Sequence, residues 1–106
     1  MADLTELNQT ELKRVGANVI KVTGPLDVTT VAHTRDAGIH LIDQIDEPEV
    51  DLSDARVAGS AAVALLIAWL RHAAKTGKQV KYTHSPANLR DITRACGVDG
   101  IIPIVS

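Results

Sequence analysis

The stretch from Val50 to Gly77, VDLSDARVAGSAAVALLIAWLRHAAKTG, limits what this chain can fold into more than any other part of it. Val50 and Leu52 begin a short apolar segment of the kind that forms a buried strand. A turn of small residues follows, Ala58-Gly59-Ser60-Ala61-Ala62. From Ala61 to Leu70 the sequence is apolar without a break; Arg71, His72 and Lys75 come next, and the run stops at Gly77. Ser60 is placed to cap the helix, because its hydroxyl can accept an orphan backbone N–H of the first turn. Basic residues in the last turn suit the negative end of the helix dipole, and Gly77 suits the left-handed terminating position. The reading is strand, tight turn, helix.

The helical period separates two faces. At about 100° per residue, Ser60, Ala64, Arg71 and Lys75 share one side, with Ile67 at its centre and Ala68 at its edge. Ala62, Leu66, Trp69 and Ala73 lie opposite and are the expected core. The outward side carries small residues around one large aliphatic where a solvated helix would carry charge. One reading is a partly covered surface helix. The other is a docking surface, because contiguous exposed apolar area marks a contact. On that second reading Ser60, Ala61, Ala64, Ile67, Ala68 and Arg71 are the partner-binding residues.

The rest of the chain supplies further strands and helices. Residues 1–10 read as a polar tail, and a single domain is expected over 11–106. Glu11 to Val15 and Val19 to Thr23 are strand candidates joined by Gly16-Ala17-Asn18, good hairpin chemistry. Gly24-Pro25 is expected to break the second strand. Asp27, Thr29 or Thr30 then caps a helix in which Val28, Val31, Ala32, Gly38, Leu41, Ile42 and Ile45 recur at helical spacing. After Gly77, Gln79 to Thr83 is a strand with Val80 and Tyr82 on one side. Ser85-Pro86 is read as an N-cap followed by proline at the first helical position. Leu89, Ile92 and Cys96 give that helix its apolar face, Gly97 ends it, and Pro103 confines a last strand, Ile101 to Val105, to a sheet edge or bulge. The expected fold is α/β: one domain with a mixed sheet of four to five strands and about three helices packed on it.

Composition narrows function by exclusion. The 106 residues allow one domain with a real core. A net charge of -2 predicts neither a nucleic-acid grip nor general attraction to membranes. The acidic residues Asp43, Asp46, Glu47, Glu49, Asp51 and Asp54 fall in one block, whereas basic residues dominate beyond Leu70. Cys96 is the single cysteine, which fits a reducing compartment and allows no intrachain disulfide. MADLTELNQT has neither the basic nor the apolar region of a secretory signal. The expectation is a cytoplasmic protein with no cofactor and no metal.

The residues also resemble a family. The Gly24-Pro25-Leu26-Asp27 turn, Asp51-Leu52-Ser53 at the end of the central strand and the order of elements resemble the STAS domain, the fold of the bacterial anti-sigma factor antagonists. Aligned without a gap, the family's central motif places its Asp on Gly59, its first Ser on Ser60, its phosphoaccepting Ser on Ala61, its Gly on Ala62 and its Leu on Val63. Leu65-Leu66, Gly77 and the Leu89 to Gly97 helix keep their places. Within the family the likeness extends to the small STAS subunit of the bacterial ABC transporter that maintains outer-membrane lipid asymmetry, through the residue at Ser60 and the AKTGKQV run. That resemblance implies a non-catalytic subunit that binds the transporter's ATPase through the Ser60 helix, peripheral to the inner membrane through that partner, and supports phospholipid transport. The alternative it implies is an antagonist that binds a kinase-like anti-sigma factor, with no hydroxyl at Ala61 to be phosphorylated.

Enzyme chemistry finds little footing. Gly59-Ser60 after a strand resembles a nucleophile elbow, but Ala58 and Ala62 occupy the outer positions where G-x-S-x-G needs glycine. Of His33, His40, His72 and His84, only His33 and His40 share a predicted helix face, two turns apart and too far for direct chelation. Asp27 is better explained as a cap than as a general base. There is no phosphate-binding or dinucleotide glycine fingerprint. Trp69 and Tyr82 alone make no stacking platform for single-stranded nucleic acid.

Overall fold

A computed structural model of the chain describes residues 10–98 and 100–105. Within them one sheet of five strands forms, in the order β1-β2-β3-β4-β5. The strands are β1 (Glu11–Arg14), β2 (Val19–Leu26), β3 (Glu49–Val57), β4 (Lys81–Thr83) and β5 (Ile104–Val105). The helices are α1 (Val31–Asp43), α2 (Ser60–Lys75) and α3 (Leu89–Ala95). β1 and β2 are an antiparallel hairpin, whereas β2, β3, β4 and β5 run parallel. Each parallel step crosses over through one helix. Sequential strand order with right-handed crossovers puts the helices on one face.

The burial pattern along the strands agrees with one covered face. Ile20 and Val22 in β2, Val50 and Leu52 in β3, and Tyr82 in β4 are buried, and Ile42, Leu66, Trp69 and Leu89 meet them from the helices. Lys21, Asp51, Ser53 and Asp54 project from the other side, where Lys21 Nζ pairs with Asp54 at 3.0 Å. The helical phase expected for α2 is the one observed: Ala62, Leu66, Trp69 and Ala73 are each 0 % exposed.

Several local expectations are corrected. Gly24-Pro25 does not end β2; the strand runs on to Leu26, with Gly24, Pro25 and Leu26 opposite Ala55, Arg56 and Val57. A register shift between Lys21 and Thr23 absorbs the irregularity, and Gly24 takes φ 107. Proline is tolerated because β1 has already ended beside Thr23, so no neighbour needs its missing N–H. Val28 lies before α1, not in it, and is 80 % exposed. The N-cap position of α1 is Thr30, but its hydroxyl donates to Pro25 O at 2.9 Å instead of capping. Asp27 closes its own turn by accepting from Thr29 N at 2.8 Å.

Ser60 is the first residue of α2, and the cap is Gly59, at φ 76 and ψ -171, with no side-chain cap bond. That backbone region is almost exclusive to glycine. α3 begins three residues later than the Ser85-Pro86 signal implies, because Pro86 opens a turn closed by Leu89 N at 3.0 Å to its carbonyl. Cys96 is exposed and takes no part in the apolar face. The terminators are as expected: Lys78 N bonds Ala73 O and Val98 N bonds Thr93 O, each at 2.9 Å around a left-handed glycine. Of the polar tail expected over residues 1–10, only Thr10 lies within the described residues; it is buried, and its hydroxyl donates to Pro25 O.

Candidate partner-binding surface

The parallel sheet brings the ends of β2 and β3 to one edge. Ala58 N donates to Leu26 O at 3.1 Å, so the loop after β2 sits beside the turn that launches α2. Asn88, just before α3, joins the same edge by donating Nδ2 to Val57 O at 2.9 Å. Exposed on this edge are Val28, Ala58, Gly59 and Ser60. From there the outward side of α2 continues through Ala64, exposed, then Ile67 and Ala68, half-buried, to Arg71, exposed, with Ala61 half-buried at the flank. All six residues singled out from the sequence therefore lie on one continuous strip. Ile67 is less free than its position suggests, because it also packs against the core cluster.

The strip is held on a rigid support. Tyr82, fully buried in β4, donates its hydroxyl to Leu66 O at 2.7 Å from beneath α2, and burial pushes its pKa well above the ordinary tyrosine value. Trp69 Nε1 donates to Arg35 O at 3.2 Å, tying α2 to α1. His72 Nε2 meets Asp43 Oδ1 at 2.6 Å on the same helix pair. Lys78 Nζ reaches the carbonyls of Ile42 and Asp43 at 3.1 and 3.0 Å, a cation at the negative end of α1.

The ionisable groups around the sheet serve local structure. At Asp27 the Thr29 side-chain and backbone hydrogen bonds hold the carboxyl below its usual pKa. At Asp51 partial burial opposes ionisation, but hydrogen bonds from Ser53 and the nearby His84 and Lys21 outweigh it, so its pKa is also lowered. His84 Nδ1 stands 3.3 Å from Asp51 Oδ1 and holds a left-handed φ of 53. The Lys21 pKa is raised by its hydrogen bond to Asp54. Among the described residues no group of three or more His, Cys, Asp or Glu side chains is placed to hold a metal ion, and no helix is long and apolar enough to cross a membrane. Ser60 has no hydrogen-bonded histidine or carboxylate among the described residues to activate it.

Sequence reasoning missed three features of this surface. The spacing of Val28 matches a helix, but a turn that begins at Asp27 intervenes and leaves it outside α1. Gly59, not Ser60, holds the cap position, through a left-handed backbone that no side chain announces. The apolar residues of the last loop, Val98 and Ile101, flank the far end of α2 only because β5 folds back beside β4.

These features define a singly wound α/β domain with a mixed sheet and an exposed small-residue helix face. The chain belongs to the STAS domain family: the family described as "Mlab, STAS domain" matches residues 10–105. Solved structures share the fold. The anti-sigma factor antagonist SpoIIAA in its unphosphorylated form superposes with a TM-score of 0.68 at 15% identity, covering 92% of this chain and 88% of its own. The phosphorylated form of the Bacillus cell fate determinant SpoIIAA gives 0.61 at 17% identity, with 92% and 91% covered. An anti-sigma factor antagonist domain protein from Planctomyces limnophilus gives 0.68 at 16% identity, with 92% and 90% covered. No curated protein matches the chain.

Proposed function

We propose that the protein is a non-catalytic docking module that binds a regulatory protein partner through the edge at Val28, Gly59 and Ser60 and the outward strip of α2. The observation that carries this reading is the strip itself: Ala64 and Ala68 let a partner backbone approach closely beside Ile67, on a helix pinned from below by Tyr82 and Trp69.

For the partner, the anti-sigma factor antagonist names of the structural neighbours favour a kinase-like anti-sigma factor. This was the alternative on sequence grounds, and the neighbours lend it more support than the transporter reading receives, since none of those reported above names an ABC transporter or a lipid. The second reading, an ATPase subunit of a phospholipid-trafficking ABC transporter with the protein held at the inner membrane through it, is favoured by one residue. Ala61 stands where the family motif carries its phosphoacceptor, so a kinase has no hydroxyl there to modify. The Mlab label of the matched family points the same way.

Affinity purification of the tagged protein from its native cells, followed by titration of each purified candidate, separates the two. Saturable binding to a kinase-like anti-sigma factor and none to an ABC ATPase is the expected result. Saturable binding to the ATPase alone makes the second reading correct, and binding to neither overturns both partner assignments.

A further inference from the structure

Beside the C-terminal half of α2 lies an open groove of ≈ 620 Å³. Its floor is apolar: Ile67 and Leu70 of α2, Val80 before β4, and Val98, Ile101 and Pro103 on the way to β5. Ile101 is 59% exposed, one of the few large aliphatic side chains left open to solvent among the described residues. The charged side chains that line the groove are, among those residues, all basic: Arg71, Lys78 and Lys81. Lys78 is already engaged by the carbonyls of Ile42 and Asp43, whereas Arg71 and Lys81 are exposed and join none of the ion pairs of the described residues. Asp46, Glu47 and Glu49 line an adjoining, more polar hollow that shares Lys78 and Lys81 with the groove, and Glu49 stands opposite Lys81 across β3 and β4.

Ile67 and Arg71 belong both to this groove and to the outward strip of α2, so the groove continues the docking surface toward β5. We infer that it receives a short segment of the partner protein in which apolar residues are flanked by Asp or Glu. The apolar side chains fill the floor between Leu70 and Ile101, and the carboxylates meet Arg71 and Lys81. This inference rests on the docking reading and adds the chemistry of the bound segment. Charges at the rim of such a contact act mainly on orientation and association rate, and the apolar floor on residence.

The test is a nuclear magnetic resonance titration of the isotope-labelled full chain with three probes: a capped Glu-Glu-Leu-Leu-Glu-Glu peptide, its lysine counterpart, and dodecanoate. The acidic peptide should move the amide signals of Leu70, Arg71, Lys81 and Ile101 and bind about tenfold more tightly than the lysine peptide at low salt. The preference should vanish in the doubly substituted Arg71→Glu, Lys81→Glu chain. Equal binding of both peptides, no shift with either, or dodecanoate alone moving these signals overturns the inference, the last in favour of a lipid. The docking reading is tested separately through Ala64→Arg, which lies outside the groove. If Ala64→Arg abolishes partner binding while the charge-reversed chain binds normally, the groove proposal falls and the docking strip stands. If the charge-reversed chain alone loses the partner, the groove stands and the contact does not extend along the strip to Ala64.

Discussion

Gly38 and Trp69 interlock at the crossing of α1 and α2: a Cβ built on Gly38 would overlap the Trp69 indole. The close approach also brings Trp69 Nε1 to the Arg35 carbonyl at 3.2 Å. Replacing a helical glycine by alanine normally stabilises by about 1 kcal/mol through propensity. Here overpacking, which costs about 1–3 kcal/mol and occasionally more, should prevail. Gly38→Ala is therefore expected to destabilise the domain in urea denaturation. A variant as stable as the parent, or more so, would contradict this helix crossing.

Tyr82→Phe tests the support under α2 from the other side. The phenol hydroxyl is buried and donates to Leu66 O at 2.7 Å, so its loss leaves that carbonyl only its helical partner. A loss of about 1 kcal/mol is expected, the usual net worth of one hydrogen bond. A chemical-denaturation midpoint unchanged from the parent would mean that this bond does not hold the helix.

Acid stability should depend on Asp51. Its folded-state pKa is lowered, so the stabilisation it gives is fully present above the unfolded aspartate value of about 3.9 and is lost as pH falls through the lower folded value. Asp51→Asn should flatten the decline of Tm between about pH 5 and pH 2, while costing some stability at neutral pH. Parallel Tm curves for parent and variant over that range would contradict the assignment.

The layers of the fold could be read from the sequence because burial there follows simple periods. Trp69, Leu66 and Ala73 face the core because a helix of this length has no other way to hide them. The local misreadings share one cause, that a nearby glycine, proline or Asx turn competes with a cap. Ser60 looked like a cap because the left-handed backbone of Gly59 carries no side-chain signal. Pro25 looked like a strand end because the shortness of β1, which makes the proline harmless, is a tertiary fact. The outward strip on α2 was visible as a pattern, whereas the groove at its far end was not. Its walls come from residues 67–71 and 98–103, and only the closing β4–β5 pair brings them together.

Phosphorylation is not expected to be the main switch of this protein. Ala61 has no hydroxyl, and Ser60 beside it opens the helix exposed to solvent without being the motif's acceptor. Mass spectrometry of protein purified from its native cells should find Ser60 essentially unmodified. A substantial phosphorylated fraction at Ser60 would restore a kinase-driven switch at this edge.

The docking strip on α2 is tested most directly by the affinity of Ala64→Arg for the purified partner, measured alongside thermal melting of the free domain. Ala64 is exposed, and arginine matches alanine closely in helix propensity, so the melting curve should stay with the parent. In a close-packed contact the long side chain should cost about 1–3 kcal/mol, roughly a five- to hundredfold loss of affinity. A variant that melts normally and binds its partner as tightly as the parent would contradict the account.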